Sequence, residues 1–410
     1  MRIYPISQHG MLNAGTRKLV HKKRALVLTT SNASRLARVM RNVQALHNGG
    51  YIVDIASPYH YDSLPVSKQV IIDRYRAQNA VFSPKRLLRA FLGALSSLVP
   101  LPEVTRRLIG WQYGLGRTSG LLSDTSYEVL LVEEVELLPF ALSIGAQNHH
   151  ARVIVDLRDF NWTRVDVAVS ERLANRRQRF IYRHFLRSAD AILVVSEGQR
   201  RALHRILGLT SSVLLSAPWY HDFAPRPPSS EKIRLVHHGN AERIRGLEML
   251  IEAMRYVEPR FELHLYIVPT DQKYYESLVE SARHYPNVWF HSPVQLDRLV
   301  ATLNMYDIGV VSFPPTTLNL ETALPNKVFE FIQARLGIVC GPAEDIARLV
   351  SDYGIGAVAI DFNPRAIASA INNIGLEDVW RFKMASDRAA RTLCFEEQVA
   401  TLHAILGDLA

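Results

Sequence analysis

The fold of this 410-residue chain is decided by the stretch Thr317–Gly341, which reads TLNLETALPNKVFEFIQARLGIVCG. Its pattern predicts a helix that begins at Pro325, because proline fits the first helical position, and that stops at Gly337. The following residues, Ile338–Cys340, predict a short buried strand. The stretch is therefore typical of the helix-to-strand step in an α/β protein.

Lys327 lies in the first turn of this predicted helix. A cation at a helix N-terminus opposes the helix dipole, whereas an anion is favoured there. Asn326, Lys327 and Glu330 share one face of the helix, so an amide, a cation and a carboxylate converge near its start. The pattern predicts a phosphate site. The alternative is a solvated first turn with an ordinary charge pair between Lys327 and Glu330.

The composition indicates a globular chain of two domains, with 48% hydrophobic and 21% charged residues. The two cysteines, Cys340 and Cys394, give neither a disulfide framework nor metal-ligand spacing, so we expect a reducing cytoplasmic compartment and no metal site. No apolar run approaches the roughly 18 residues that cross a bilayer, and no secretory signal is indicated. We expect a soluble protein or one bound peripherally to the inner face of the cell membrane.

The net charge of +9 is concentrated at the front of the chain, where residues 1–120 hold 18 Lys or Arg and four acidic residues. Such asymmetry suggests nucleic acid, anionic lipid or a phosphorylated ligand. We favour anionic lipid over nucleic acid because residues 83–98 predict a basic amphipathic helix, followed by Arg106, Arg107, Trp111 and Tyr113. Its cations are Lys85, Arg86 and Arg89. The alternative is an ordinary helix that packs its leucine face on the domain core.

The N-terminal half alternates short apolar strands with helices. Its first unit, between strands at Ala25–Thr30 and Tyr51–Ala56, lacks the pattern G-x-G-x-x-G, which argues against a nicotinamide cofactor. Further predicted strands are Val129–Val132, Val153–Leu157, Ala191–Val195 and Val213–Leu215. Charged residues follow these strands, where an open parallel sheet places its functional groups. We predict Glu133, Asp156 and Asp159 as candidates for a catalytic base, with ordinary surface charge as the alternative for each.

A proline-rich segment at 217–231, APWYHDFAPRPPSSE, is typical of a linker. A second alternation follows, with predicted strands at Ile233–His238, Phe261–Val268, Val288–His291, Ile308–Ser312, Ile338–Cys340 and Ala357–Ile360. Arg243 and Arg245 lie at a helix entrance, where we again expect an anion. The sequence thus predicts an α/β fold of two doubly wound, Rossmann-like parallel-sheet domains with a ligand cleft between them.

Five segments between residues 233 and 374 read HHGNAERIRGLEMLIEAM, NVWFHSPV, MYDIGVVSF, ALPNKVFEFIQARLGIVCGP and DYGIGAVAIDFNP. In this order they resemble the nucleotide-sugar-binding domain of GT-B glycosyltransferases, specifically glycosyltransferase family 4. The form LPNK-x-FE is similar to that of enzymes assembling bacterial surface polysaccharides. The N-terminal half matches more loosely, through ARVIVDLRDF and SADAILVVSEGQRRAL. The resemblance implies an acceptor-binding domain at 1–216, a linker at 217–231, a donor-binding domain at 232–378 and a helical segment at 379–410 that crosses back.

The resemblance also implies roles for individual residues. Arg245 matches a basic position that holds the donor's diphosphate, and Glu330 matches the glutamate that binds the nucleotide ribose. Asn326 and Lys327 match further diphosphate contacts. Arg243 could replace a family arginine, whose position is taken by Gly239 or Asn240. The list of predicted donor-binding residues is therefore Arg243, Arg245, Asn326, Lys327, Glu330 and Gly239.

The chain departs from the family pattern at Thr322, which stands eight residues before Glu330 where the family has a second glutamate. A histidine common in the family's catalytic domain is not found near Glu133 or Arg158. His237 and His238 are better interpreted as structural histidines than as catalytic ones.

The implied activity is metal-independent transfer of a sugar from a nucleoside-diphosphate sugar to a lipid-linked or polysaccharide hydroxyl, with retention of configuration. No cofactor beyond the donor substrate is implied. The alternatives are a catalytically weak homologue that acts as a binding or scaffold subunit, and a nucleotide-sugar epimerase.

Overall fold

The structure is a computed structural model that describes residues 23–31, 37–72, 101–115, 120, 122, 125–148, 151–160 and 169–408. Its first sheet is parallel, with strand order β3-β2-β1-β4-β5-β6-β7. The strands are β1 Arg24–Leu28, β2 Ile52–Ser57, β3 Lys68–Ile71, β4 Val129–Val132, β5 Arg152–Leu157, β6 Ala191–Val194 and β7 Ser212–Val213. Hydrophobic clusters cover both faces of this sheet, which explains why the strands are short runs of Val, Ile and Leu.

The second sheet is also parallel and has the strand order β10-β9-β8-β11-β12-β13. Its strands are β8 Ile233–Asn240, β9 Phe261–Val268, β10 Val288–His291, β11 Ile308–Val311, β12 Gly337–Cys340 and β13 Gly356–Val358. The strand order reverses between β8 and β11, as it does between β1 and β4 in the first sheet. Ligands of open α/β sheets bind at the carboxyl ends of strands beside such a reversal.

Helices connect the strands in both halves. Those of the first half are α1 Ala37–Asn48, α2 Pro102–Gln112, α3 Leu138–Gln147, α4 Val169–His184 and α5 Glu197–Leu207. Those that follow are α6 Leu247–Ala253, α7 Gln272–Ala282, α8 Leu296–Leu303, α9 Leu318–Glu321, α10 Asn326–Gln333, α11 Glu344–Tyr353, α12 Pro364–Asn372, α13 Leu376–Ala390 and α14 Phe395–Asp408. Within the described ranges, no helix has the length and apolar content needed to cross a membrane.

Helix α10 is almost entirely enclosed, from Lys327 to Gln333. It packs closely on β11 because Gly309 has no side chain. A Cβ atom at this position would lie 2.2 Å from the ring of Phe331. This close packing fixes the start of α10 beside the carboxyl ends of the central strands.

Contacts on two sides of the molecule join the halves of the chain. Helix α14 returns to the first half, where Phe395 and Leu402 share a core cluster with Val39 and Val43 of α1. On the opposite side, Ser196 Oγ donates a hydrogen bond of 2.6 Å to the carbonyl oxygen of Thr322. The segment before α10 is therefore held against the first half.

The predicted α/β class with two doubly wound parallel sheets is confirmed. Strand β3 was not predicted. The helix predicted from Pro325 to Gly337 is shorter, since Pro325 is the extended N-cap residue, α10 ends at Gln333, and Gly337 opens β12. The predicted basic helix at 83–98 lies outside the described residues.

Candidate active site

Lys327 is the central side chain on the C-terminal side of the cleft. It is only 5% exposed. Its Nζ lies 3.2 Å from Nε2 of His237 and 4.7 Å from the ring centre of Phe313. Among the described residues, no carboxylate oxygen comes within 4 Å of this Nζ, so neither the solvated turn nor the pair with Glu330 is formed. Burial and the neighbouring charge of Arg245 hold the pKa of Lys327 well below its usual value.

Gly239 makes room for this lysine at the end of β8. Its φ of +142° is a conformation that side chains rarely adopt, and a Cβ atom there would lie 3.1 Å from Lys327 Nζ. Gly239, predicted as a donor-binding residue, therefore provides space for the Lys327 side chain in this structure. A larger residue would displace the ammonium group.

His237 orients the lysine. Its Nδ1 lies 2.7 Å from the carbonyl oxygen of Val310, which can only accept, so Nδ1 carries the proton and Nε2 accepts from Lys327. Burial and the charge of Lys327 keep the pKa of His237 well below its usual value. The imidazole is thus a neutral structural group, in line with its prediction, but it touches a candidate site residue.

Glu330 lies one turn after Lys327 and is also buried. Burial alone would raise the pKa of Glu330, but His238, Arg41 and Lys327 outweigh it and lower this pKa. Nε2 of His238 lies 3.2 Å from Glu330 Oε2, in poor alignment for a hydrogen bond. The carboxylate is therefore ionised and keeps hydrogen-bonding capacity for a ligand.

The other predicted donor-binding residues differ in placement. Arg245 lies 5.5 Å from the ring centre of Phe313, on which Lys327 also packs, and its Nε donates to Glu242. Arg243 instead lies over Tyr274, beside Asp271, the N-cap residue of α7. Asn326 is half-buried as the first residue of α10. The structure thus places Arg245 beside the same aromatic ring as Lys327, whereas Arg243 contacts Tyr274 and Asp271 instead.

A second polar cluster lies at the carboxyl ends of β4 and β5. Asp156 is buried and accepts two hydrogen bonds from the guanidinium of Arg38, at 2.6 and 2.9 Å. Asn42 Nδ2 bridges Asp156 and Glu133, at 3.0 and 2.9 Å. Since Asp156 is fully engaged by a cation, the structure makes it a poorer base than its neighbour.

Glu133 is 2% exposed and its Oε2 has no hydrogen-bond partner among the described residues. Burial, followed by the charge of Asp156, raises the pKa of Glu133 to about 7. The nearest cation is Arg158, whose Nε lies 3.8 Å from this oxygen. Glu133 therefore combines a free oxygen with a pKa suited to proton transfer near neutral pH.

Asp159 is exposed at the mouth of the same cluster and joins it to the other half. Its Oδ1 accepts a hydrogen bond of 3.1 Å from Nδ2 of Asn319, which stands in α9 just before the donor side. Asn319 Oδ1 in turn accepts from the backbone N–H of Phe160 at 3.0 Å. One amide therefore links both sides of the cleft.

Sequence reasoning missed four residues of this site, which are Arg38, Arg41, Asn42 and Asn319. The first three lie on the buried face of α1. Their polar side chains, at helix positions that the pattern assigns to the buried face, were the sequence signal that could have identified them. Asn319 has no comparable local signal, since its partners lie about 160 positions away.

Two family models match the chain, one on each sheet. The model described as Glycosyl transferase 4-like domain matches residues 36–215. The model described as Glycosyl transferases group 1 matches residues 232–375. A comparison with curated protein sequences finds no match.

Solved structures with the same architecture cover nearly the whole chain. A sucrose-phosphate synthase from Thermosynechococcus elongatus has a TM-score of 0.68 at 13% identity, over 94% of this chain and 99% of that chain. An α,α-trehalose 6-phosphate synthase from Burkholderia multivorans has a TM-score of 0.66 at 11% identity, over 95% and 99%. Anabaena HepE in complex with UDP-glucose has a TM-score of 0.65 at 12% identity, over 94% and 99%. At such identities the likeness shows the fold alone.

Proposed function

We propose that this chain, a glycosyltransferase of the GT-B type, moves a sugar from a nucleoside-diphosphate sugar to a hydroxyl of a lipid-linked or polysaccharide acceptor. The reaction proceeds with retention of configuration and without a metal ion. UDP-glucose is the donor to test first, because the similar Anabaena structure holds it.

The observation that carries this proposal is the environment of Lys327. Among the residues that the structure describes, this buried ammonium group has one hydrogen bond and no carboxylate oxygen within 4 Å, which is costly unless a ligand brings an anion to it. It stands at the N-terminal turn of α10, where the helix dipole favours the same anion. A diphosphate meets both requirements, and Arg245 adds a second cation nearby.

The same groups would stabilise the departing nucleotide. Cleavage of the donor's glycosidic bond develops negative charge on the diphosphate, and preorganised cations at that point lower the barrier. Lys327 and Arg245 would supply this charge without a metal. Glu330, ionised and one turn further along α10, would accept hydrogen bonds from the ribose hydroxyls.

On the acceptor side, Glu133 is the best placed of the three predicted bases. Asp156 is neutralised by Arg38, and Asp159 is held by Asn319 at the mouth of the cleft. A retaining reaction can alternatively pass the acceptor's proton to the leaving phosphate. Glu133 would then orient the acceptor hydroxyl.

Activity is tested by incubating the full chain with UDP-glucose, with and without acceptor, and by measuring UDP release. We expect turnover that survives EDTA and is lost in Arg245→Ala and Glu330→Ala, with Arg348→Ala on the exposed side of α11 as the matched control. Unchanged turnover in both variants would contradict the site assignment. Binding without turnover would favour a scaffold subunit, and conversion of free donor to an epimer would favour an epimerase. Proton NMR of the product's anomeric centre tests retention.

Peripheral membrane binding is the second element of the proposal. Trp111 is 62% exposed on α2, beside Arg106 and Arg107, which an interfacial helix would direct toward headgroups. Vesicles of phosphatidylcholine and phosphatidylglycerol should sediment the protein at low salt and release it at high salt. The triple change of Lys85, Arg86 and Arg89 to Glu should abolish binding, and salt-insensitive or absent binding would contradict this element.

A further inference from the structure

A cavity of about 310 Å³ opens at the carboxyl ends of β4 and β5. This volume lies in the range of small-molecule sites. Its charged lining consists of five carboxylates and one guanidinium, which belong to Glu133, Glu134, Glu136, Asp156, Asp159 and Arg158.

The guanidinium groups at this cavity are already engaged by carboxylates. Arg158 Nη2 donates to Glu134 at 2.8 Å, and Arg38 holds Asp156. Arg177, which does not line the cavity, donates from Nη2 to the lining residue Glu136 at 3.0 Å. The five lining carboxylates thus face one lining guanidinium, and Arg38 and Arg177 beside the cavity each donate to one of these carboxylates. Arg41, a further buried guanidinium close to Glu133 and Asp156, donates to the carbonyl oxygen of Ser216. An anionic group entering the cavity would therefore meet an excess of carboxylates over guanidiniums.

Two buried atoms at the cavity nevertheless have unused hydrogen-bonding capacity. They are Oε2 of Glu133, an acceptor when ionised, and Nε of Arg158, a donor, and neither has a partner among the described residues. The two atoms lie 3.8 Å apart. A hydroxyl group both donates and accepts, so it matches this pair, whereas phosphate matches only the arginine.

We infer that this cavity receives an uncharged sugar through one hydroxyl and rejects sugars that carry a phosphate, with Glu133 and Glu134 as the residues that set this specificity. The inference rests on the proposed function, since it names the acceptor class of the proposed transfer. Glu133 Oε2 accepts from the sugar hydroxyl. Glu134 pairs with Arg158 and offsets its charge, which weakens the attraction of this arginine for phosphate.

The test is a pairwise titration of the full chain, with UDP present in excess, by saturation-transfer NMR. The probes are glucose, galactose and mannose against their 6-phosphates. We expect each phosphate to bind at least about tenfold more weakly than its neutral sugar, with a smaller ratio at high salt because screening weakens the repulsion. Glu134→Gln and Glu133→Gln should both reduce the ratio, while Asp352→Asn, an exposed change on α11, should leave it unaltered.

A phosphate that binds as well as its neutral sugar, or a failure of all three neutral sugars to bind, would overturn the inference. UDP binding, measured separately on the same samples, reports on the proposed donor site. If UDP fails to bind and the neutral sugars still outcompete their phosphates, the proposed function fails and the cavity's specificity stands. If UDP-glucose is turned over and the phosphates bind equally well, the inference alone fails.

Discussion

The two sides of the cleft hold buried charge in opposite ways. On the N-terminal side, Asp156 is paired with Arg38 through two hydrogen bonds. On the C-terminal side, Lys327 is buried with a neutral imidazole and an aromatic ring as neighbours, and its pKa is lowered by burial and by Arg245. The first arrangement is complete without a ligand, whereas in the described part of the chain no carboxylate oxygen lies within 4 Å of the Lys327 ammonium.

This difference separates residues that stabilise the fold, such as Arg38 and Asp156, from a residue that we expect to bind substrate, Lys327. Removing one partner of a buried ion pair leaves an uncompensated charge and destabilises strongly. Removing a buried charge that has no partner relieves a desolvation penalty. The two sides should therefore respond oppositely to the loss of a cation.

The largest expected change in stability is that caused by Arg38→Met, which leaves Asp156 buried without its paired cation. We expect the free energy of unfolding to fall by about 3–5 kcal/mol. Lys327→Met, a matched loss of one buried cation, should leave it unchanged or raise it. Urea unfolding at pH 7 measures both. Equal losses in the two variants would remove the distinction between the two sides.

The next effect concerns Glu133, whose pKa rises from 4.5 to about 7 on folding. Between these values the folded chain binds more protons than the unfolded chain, so the free energy of unfolding decreases as pH rises through this window. Glu133→Gln should lack this contribution. Urea unfolding at pH 5 and pH 8 provides the comparison, and an identical pH dependence in the two proteins would contradict the assigned environment.

The smallest expected effect is on Asn319→Ala, which removes the amide that links Asp159 to the donor side. Loss of these hydrogen bonds should destabilise the local contact by about 1 kcal/mol. This corresponds to hydrogen exchange that is roughly fivefold faster in residues 313–325. Thr316→Ala, an exposed change in the same segment, is the control. Equal exchange rates in both variants would show that the amide does not hold the two sides together.

Much of the fold was predictable because local apolar runs define it. The bounds of β4, β9 and β10 match their predictions, and the GT-B class is confirmed. Strand β3 was missed because KQVI at 68–71 is short and half polar. The end of α10 was missed because Arg335 adopts a left-handed φ of +61°, which local rules assign to glycine. Hydrogen bonds from its guanidinium to Asp387 and to the carbonyl oxygen of His221 stabilise this turn, and both partners are remote in sequence.

The candidate site divides in the same way. Lys327 was identified from the sequence because its conflict with the helix dipole is local. The Arg38–Asp156 pair was not, because its members stand 118 positions apart and only the folded sheet brings them together. Assigned roles for Lys327, Glu330 and Glu133 remain predictions until ligand binding is measured.

The central claim, that Lys327 binds the donor's diphosphate, is tested most directly by isothermal titration with UDP. We predict that Lys327→Met weakens binding by about tenfold to a hundredfold, because a hydrogen bond to a charged group contributes about 1.5–3 kcal/mol. Lys273→Met, on the exposed face of α7, should bind UDP as the unmodified chain does. Equal UDP dissociation constants for the unmodified chain and Lys327→Met would contradict the claim.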